Sequence, residues 1–437
     1  MATQDNNLDL YMNDTLIGKL TKHTSGRLSF CYAQSWLQQM GARPISLSLP
    51  LLDKEYTGDI VQSFFDNLLP DNPDMRARVQ RILQTSSIQP FDLLASTGKD
   101  CVGAIQLVNG KTQSTRKITT EPINDKSIAT ILKHYKTAPL GMTRDKTEFR
   151  ISIAGAQEKS ALLRYKNKWH LPLGITPSSH IFKLPIGFLE HQNMDLSDSC
   201  ENEWLCTQIT KAFGLPVANA EIGYFEDVKA LVVERFDRKW SKDNSWLMRL
   251  PQEDCCQALG YSPNLKYEAD GGPGIKDIMT LLLGSKKSIA DREYFFCSQL
   301  LFFLLGAIDG HAKNFSLFIE PYGKYCLTPL YDIMSAYPLI AKKQLHVQKI
   351  KMAMSLIGQN KHYRWQGIYR RHFLSTAKAT NFSIKKAEQI IDNMLNQVDT
   401  VVTQVSNKLP ANFPKAIAEP IFQGMIKATQ RRKRAFH

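Results

Sequence analysis

The stretch AEIGYFEDVKALVVERF at residues 220–236 contains two apolar runs joined by the polar residues EDVK. Short apolar runs around a polar connection are typical of a β-hairpin. Upstream, ISIAGAQEKSALLRY, KWHLPL and SHIFKLPI predict further strands, and ENEWLCTQITKAFG predicts a helix that ends at Gly214. Beyond Trp240 long amphipathic segments dominate, and they predict helices. The sequence therefore predicts a β-rich lobe followed by a helical lobe.

The N-terminal part has a mixed pattern. LDLYMN and TLIGKLT predict a hairpin across Asn13 and Asp14, and helical and strand-like segments follow. Residues 110–145 are polar with little periodicity, so we place a domain boundary there. The predicted domains are an α/β N-terminal subdomain at 1–145, a β-rich nucleotide-binding lobe at 146–240 and a helical catalytic lobe at 241–437.

Charge is distributed unevenly along the 437 residues, which carry a formal charge of +14. Residues 341–437 contain 18 Lys and Arg against 4 Asp and Glu, whereas the first 340 residues carry 37 of each sign. A basic C-terminal third indicates a polyanionic partner. No apolar run approaches the ~20 residues of a membrane span, and the eight cysteines form no C-x-x-C pair. We therefore expect a cytoplasmic protein with reduced thiols and no membrane contact.

The stretch IDGHAKN at residues 308–314 places Asn314 five residues after Asp309, the spacing of a kinase catalytic loop. In such a loop the Asp faces the substrate hydroxyl and the Asn binds Mg²⁺. We expect a buried apolar helix to end at Ile308 and Gly310 to break it into a polar loop. On the loop alone, an Asp-Gly turn with a capping Asn is the simpler interpretation.

Other parts of a phosphate-transfer site follow in kinase order. The run LTPLYD ends in Asp332, as a second Mg²⁺ ligand would be presented. Lys183 alternates with apolar residues in HIFKLP, and the alternative is an outward-facing Lys on an edge strand. Glu201 or Glu203 can pair with Lys183, although compensation of the helix dipole explains these acids equally well. VVERF at 232–236 would form a hinge that offers backbone groups to adenine.

Several motifs resemble those of the HipA family of bacterial toxin kinases: SIAGAQEK, HIFKLPIG, VVERFDR, QEDCCQALG, GAIDGHAKNFS and LTPLYDIMSAYP. FFDNLLPDN and GKDCVGAIQL resemble its N-terminal subdomain. The resemblance covers nearly the whole chain. It implies an α+β, protein-kinase-like two-lobe fold related to phosphoinositide kinases, with an added N-terminal α/β subdomain. It also implies a serine/threonine protein kinase that uses ATP and Mg²⁺.

The resemblance also implies residue roles. Asp309 is the catalytic base, Asn314 and Asp332 hold the metal, and Lys183 contacts the α- and β-phosphates. Ser152 is an autophosphorylation site whose phosphate we expect to switch ATP binding off. The residues expected to contact the nucleotide are Ala154, Gly155, Ala156, Gln157, Glu158, Lys159, Lys183, Glu234, Arg235, Phe236, His311, Asn314 and Asp332.

The partners that the resemblance implies are a dimeric helix-turn-helix antitoxin, HipB, the operator DNA of their operon, and glutamyl-tRNA synthetase as substrate. Phosphorylation of that synthetase would inhibit translation and favour persistence, and the antitoxin complex would be associated with the nucleoid. We expect Lys378, Lys385 and Lys386 to contact DNA phosphates, the alternative being a merely solvated face. Two alternative functions are a small-molecule or lipid kinase, and a DNA-binding corepressor in which catalysis is dispensable.

Overall fold

The computed structural model of the protein describes residues 6–110, 116–133 and 159–434. These residues pack as two compact units, each assembled from segments far apart in the chain. The first unit contains the described parts of Met1–Leu184, Gly223–Asn264 and Ser316–Tyr325. The second unit contains the described parts of Pro185–Ile222, Leu265–Phe315 and Cys326–His437.

An antiparallel sheet of five strands forms the N-terminal part of the first unit. Its strands are β1 (Asn7–Met12), β2 (Thr15–Lys22), β3 (Leu28–Tyr32), β4 (Glu55–Thr57) and β5 (Ile105–Val108), in the spatial order β4-β3-β2-β1-β5. The predicted hairpin is confirmed, because Asn13 and Asp14 join β1 to β2 with φ angles of 46° and 73°. Two successive positive φ angles match the twist of paired antiparallel strands.

Four helices cover this sheet: α1 (Gln34–Leu37), α2 (Asp59–Asp66), α3 (Pro73–Leu83) and α4 (Pro90–Thr97). Phe64 and Phe65 of α2 pack with Phe30 of β3 in one apolar core. α3 begins at Pro73, which needs no N–H partner at the first helical position, and the Asn72 side chain accepts the N–H of Asp74 at 2.8 Å.

A six-stranded sheet forms the rest of the first unit's core. Its strands are β6 (Thr120–Pro122), β7 (Lys159–Tyr165), β8 (Lys168–Pro172), β9 (His180–Lys183), β12 (Ala220–Phe225) and β13 (Val228–Glu234), in the order β12-β13-β9-β7-β8-β6. α5 (Asp125–Lys133) packs its apolar face on this sheet through Ile128 and Leu132. β6 and α5 thus pack with the second sheet, whereas the predicted boundary at 145 assigned them to the first domain. The other predicted domain limits stay predictions.

Shorter elements complete the first unit. β14 (Arg238–Trp240) pairs with β15 (Leu247–Arg249). The other elements are the strands β16 (Gln252–Asp254), β17 (Ser316–Ile319) and β18 (Tyr325–Leu327) and the helix α7 (Cys255–Leu259). β18 begins in the first unit and ends in the second. Asp254 and Gln257 cap α7 reciprocally, each side chain bonding the other's backbone N–H at 2.9–3.0 Å.

Helices dominate the second unit, as the amphipathic segments predict. They are α6 (Ser199–Ala212), α8 (Ile275–Leu281), α9 (Ser288–Leu305), α10 (Tyr337–Ala341), α11 (Arg370–Ala379), α12 (Ile384–Ser406) and α13 (Lys415–Arg434). Two strand pairs accompany them, namely β10 (Gly187–Leu189) with β11 (Met194–Leu196) and β19 (Lys351–Ile357) with β20 (Lys361–Arg364). None of the helices in the described ranges is long and apolar enough to cross a bilayer.

The end of α9 differs from the prediction. The helix stops at Leu305 rather than at Ile308, because Gly306 adopts a left-handed conformation with a φ of 59° and caps it. Gly310 has another role: a Cβ there would overlap the ring of Phe302. The loop that carries Asp309 is therefore entered through Gly306 and is packed against α9 at Gly310.

A buried carboxyl in the first unit gives a pH-dependent prediction. Glu253 accepts the N–H of Leu47 at 2.8 Å and contacts the Ser46 hydroxyl, and its burial raises its pKa to about 8. The folded protein therefore holds a proton that the unfolded chain has released. The free energy of unfolding should fall as the pH rises from about 4.5 to about 8.

The matched variant is Glu253→Gln, since Gln keeps the carbonyl acceptor for Leu47 and replaces the protonated oxygen by a donor. In urea unfolding, the free energy of unfolding of Glu253→Gln should not fall between pH 5 and 8 as that of the wild type does. At pH 8 the variant should be at least as stable as the wild type. Glu226→Gln, at an exposed hairpin turn, should leave the pH dependence unchanged. A Glu253→Gln profile parallel to that of the wild type would contradict a buried protonated carboxyl.

Candidate active site

Lys183 lies on an interior strand, not on the edge strand of the alternative interpretation. β9 has β13 on one side and β7 on the other, and the Lys183 side chain is 6% exposed. Lys159 is its direct partner on β7 and is equally buried. Cross-strand partners project from the same face of a sheet, and like charges in that position repel. Both ammonium groups therefore lie on one face of the sheet.

The end of β13 supplies main-chain groups at the predicted hinge. Arg235 donates its N–H to the carbonyl oxygen of Ser179 at 2.9 Å. The Phe236 ring packs edge-on against Phe318, with 5.9 Å between ring centroids. The N–H and side chain of Arg235 are thus engaged within the protein, and the contact of this segment with adenine stays a prediction.

The VVERFDR motif builds a buried cluster of ion pairs that sequence analysis did not find. Arg235 donates to Asp237 at 2.8 Å, Arg238 donates to Asp100 at 2.9 Å, and Arg249 lies 3.3 Å from Asp100. All five side chains are buried. Burial alone would raise the pKa of Asp100, but the three guanidinium groups outweigh it and hold that pKa well below its usual range.

In the second unit, the loop after α9 presents Asp309 to solvent. The Tyr267 hydroxyl donates to Oδ1 of Asp309 at 2.7 Å, and the Tyr267 ring meets His311 edge-on at 5.0 Å. The loop is fixed from a second side, because the N–H of Ala312 donates to the carbonyl of Lys266 at 3.3 Å. Tyr267 therefore holds the predicted catalytic base, and the sequence carried no signal for it beyond one Tyr in a polar stretch.

Asn314 and Asp332 offer the oxygen ligands that Mg²⁺ prefers. The Asn314 side chain is buried and accepts the N–H of His311 at 3.1 Å, which is the capping contact of the simpler interpretation. Asp332 is exposed with a φ of 58°, and its neighbour Tyr331 donates to the carbonyl of Lys313 at 2.6 Å. That bond ties the Asp332 segment to the loop, and the role of both side chains as metal ligands stays a prediction.

Glu201 and Glu203 are both 4% exposed in the first two turns of α6. Between them, Asn202 forms two 2.8 Å hydrogen bonds with the main chain of Ser335, just beyond Asp332. Compensation of the helix dipole does not require such burial. The pairing of Glu201 or Glu203 with Lys183 stays a prediction.

Some predicted residues lie elsewhere. Ser152 and residues 154–158 of the phosphate-covering loop predicted at 154–159 lie outside the described residues. Lys378 ends α11, and Lys385 and Lys386 lie in the first turn of α12. Lys378 and Lys385 are exposed, whereas Lys386 pairs with Glu293 at 2.9 Å.

The sequence is similar to models of two protein domains and to proteins of two bacteria. The model of the HipA-like C-terminal domain matches residues 151–402, and that of the HipA N-terminal domain matches residues 8–108. The Y4mE protein of Sinorhizobium fredii is 31% identical over 344 residues, covering 77% of this chain and 79% of that protein. The serine/threonine-protein kinase toxin HipA of Shewanella oneidensis is 30% identical over 340 residues, covering 75% of each.

A solved structure has the same mixed α/β fold. It is that of Shewanella oneidensis HipA in a complex with HipB and operator DNA. It aligns with a TM-score of 0.80 at 22% identity and covers 98% of this chain and 97% of that one. Two HipA domain models match most of the chain, and the two relatives and the solved structure point to the same family. The chain therefore belongs to the HipA family of serine/threonine kinase toxins.

Proposed function

We propose that this protein transfers the γ-phosphate of ATP to a serine or threonine hydroxyl of another protein, as the toxin of a type II toxin–antitoxin system. The observation that carries the proposal is the loop at 308–314, which presents an exposed Asp309 held by Tyr267. Asn314 in the same loop and the tethered Asp332 segment provide oxygen ligands for a metal ion. Membership of a family with a named kinase supports this chemistry.

The chemical step uses Asp309 to orient and deprotonate the acceptor. Because Oδ1 of Asp309 accepts the Tyr267 hydroxyl, Oδ2 is left to accept the proton of the substrate hydroxyl. The hydroxyl oxygen bonds to the γ-phosphorus, the bond from that phosphorus to the bridging oxygen of the β-phosphate breaks, and ADP leaves. Asn314 and Asp332 would hold Mg²⁺, which when bound neutralises charge on the phosphates.

The other predicted residues complete the proposed nucleotide contacts. Lys183 contacts the α- and β-phosphates and Lys159 assists, while Glu234 and Phe236 offer main-chain groups to adenine. The loop from Ala154 to Lys159 covers the phosphates. Autophosphorylation of Ser152 adds about −1.5 to −2 charge beside that loop and switches nucleotide binding off.

The biological assignment extends the same proposal. The substrate is glutamyl-tRNA synthetase, whose phosphorylation inhibits translation in the cytoplasm and promotes persistence. The partner is a HipB-type antitoxin dimer bound to operator DNA, where the complex represses its own operon. The Shewanella oneidensis relative, solved with HipB and operator DNA, supports this partner.

Contact with DNA through the basic third gives a testable prediction. Lys378→Ala and Lys385→Ala should each flatten the log–log salt dependence of operator binding by about one unit, because each exposed ammonium group displaces about one counterion. The measurement is the operator affinity of the toxin–antitoxin complex by fluorescence anisotropy over a range of salt concentrations.

Lys386→Ala is the internal control, since its ammonium group already pairs with Glu293. It should change the slope less than either exposed lysine. If the slope is unchanged after the Lys378 and Lys385 substitutions, this surface is a solvated face. The antitoxin alone would then make the contacts with operator DNA.

The experiment that tests the proposed activity follows labelled γ-phosphate from Mg·ATP into a whole-cell lysate. The lysate is separated afterwards into protein, lipid and small-molecule fractions. We expect label in the protein fraction, on glutamyl-tRNA synthetase, with phosphoserine or phosphothreonine after hydrolysis. Label confined to the lipid or small-molecule fraction would replace the protein-kinase function by one of the alternative kinase functions.

A further inference from the structure

A cavity of about 760 Å³ lies within the second unit, apart from the loop at 308–314. One wall is α13, and the opposite wall is aromatic, with Phe303, Tyr337 and Trp365 contributing their rings. Cavities of 300–1,000 Å³ with aromatic lining are the usual size and character of small-molecule sites. The proposed kinase mechanism does not use this cavity.

The sequence of α13 explains why space remains beside the aromatic wall. Ala416, Pro420, Gly424 and Ala428 recur every four residues and all line the cavity. Residues four apart lie on one face of a helix, so this face carries no long apolar side chain to fill the gap. At Gly424 the helix approaches Tyr337 so closely that a Cβ would overlap its ring.

The aromatic wall offers carbon surface rather than polar groups. The indole N–H of Trp365 donates to the carbonyl of Phe303 at 3.0 Å, and the Tyr337 hydroxyl donates to the carbonyl of Leu304 at 3.2 Å. These bonds direct the polar atoms of both rings into the protein. A ligand that covers this wall is therefore apolar over most of its length.

Charge at the rim is predominantly positive. Lys415 and Lys427 line the cavity and are exposed, against a single carboxylate at Glu419. The two lysines are twelve residues apart on α13, about 18 Å along the helix axis. Tyr337 and Trp365 of the opposite wall lie in a segment without any Asp or Glu between Asp332 and Glu388. An elongated apolar ligand would meet a cation at either end.

We propose that this cavity binds a free carboxylate with a long, unbranched acyl chain, its chain against the aromatic wall and its head at a rim lysine. Cavity volume, apolar lining and rim charge together select an apolar chain with an anionic head. This site is independent of the proposed kinase activity and does not rest on it.

Calorimetric titration with decanoate below its micelle concentration tests the proposal, with 1-decanol as a neutral analogue of equal chain length. The full-length protein should bind one decanoate per chain and bind 1-decanol more weakly. Gln423→Trp, at an exposed position that lines the cavity, should occupy part of the space and weaken decanoate binding. Unchanged melting temperature and kinase activity in this variant would show that the fold is intact.

Charge reversal tests the head group. Lys415→Glu with Lys427→Glu should weaken decanoate about tenfold and leave 1-decanol unchanged, since exposed attractions are lost and repulsions added. Lys408→Glu, an exposed lysine outside the cavity, is the matched control. The proposal is overturned by absence of saturable binding, by full affinity in Gln423→Trp, or by equal affinities for decanoate and 1-decanol.

Discussion

Asp309→Asn should lower the rate of phosphoryl transfer by about 10²- to 10⁴-fold, the contribution typical of a general base. The amide keeps the acceptor oxygen for the Tyr267 hydroxyl and cannot accept the substrate's proton. The fold should be unaffected, because Asp309 is exposed and its loop is anchored by other contacts. Steady-state transfer rates and thermal melting of the same preparations provide both measurements.

Asp332→Asn separates metal binding from proton transfer. It removes one negative charge from the proposed metal site, so the affinity for Mg·ATP should fall more than in Asp309→Asn. Asp399→Asn, at an exposed position on α12, is the matched control and should retain full activity.

Undiminished transfer by the correctly folded Asp309→Asn variant would refute the assignment of the base.

The second large effect is on stability. Asp100→Asn should lower the free energy of unfolding by about 3–5 kcal/mol, because it leaves three buried guanidinium groups with a single carboxylate. Asp227→Asn is the contrasting control and should change the free energy of unfolding far less, since Asp227 pairs with Lys133 on the surface, where solvent screens the attraction. Urea unfolding of the wild type, Asp100→Asn and Asp227→Asn measures the three free energies of unfolding.

The pH dependence of this effect has a defined sign. The pKa of Asp100 is lower in the folded protein than in the unfolded chain. Its stabilising contribution is therefore present above the unfolded pKa of about 4 and is lost as the pH falls through the folded value. The difference between wild type and Asp100→Asn should shrink in strong acid. Equal unfolding free energies at pH 7 would contradict the role of the cluster.

Local features of the fold were predictable from sequence because their causes are local. The hairpin at Asn13 and Asp14 follows from turn chemistry. The end of α9 was misplaced because Gly306 and Gly310 are both plausible breakers, and φ alone distinguishes them.

Features that depend on distant residues were not predictable. The burial of Lys183 follows from the order of strands in the sheet, which periodicity does not reveal. Arg235 was assigned to the adenine hinge, yet its side chain meets Asp100, 135 residues away. Tyr267 lies 42 residues before Asp309, so no local spacing connects them. The order of the predicted site residues along the chain could be read from the sequence. The contacts that hold these residues in place could not be predicted from it.

The most direct test of the central claim measures transfer of radiolabelled γ-phosphate from Mg·ATP to protein by the wild type and by Asp309→Asn side by side. The account predicts time-dependent phosphoserine or phosphothreonine with the wild type and a signal reduced by about 10²-fold or more with the folded variant. Equal incorporation by both proteins, or none by the wild type into any protein of the lysate, would contradict it.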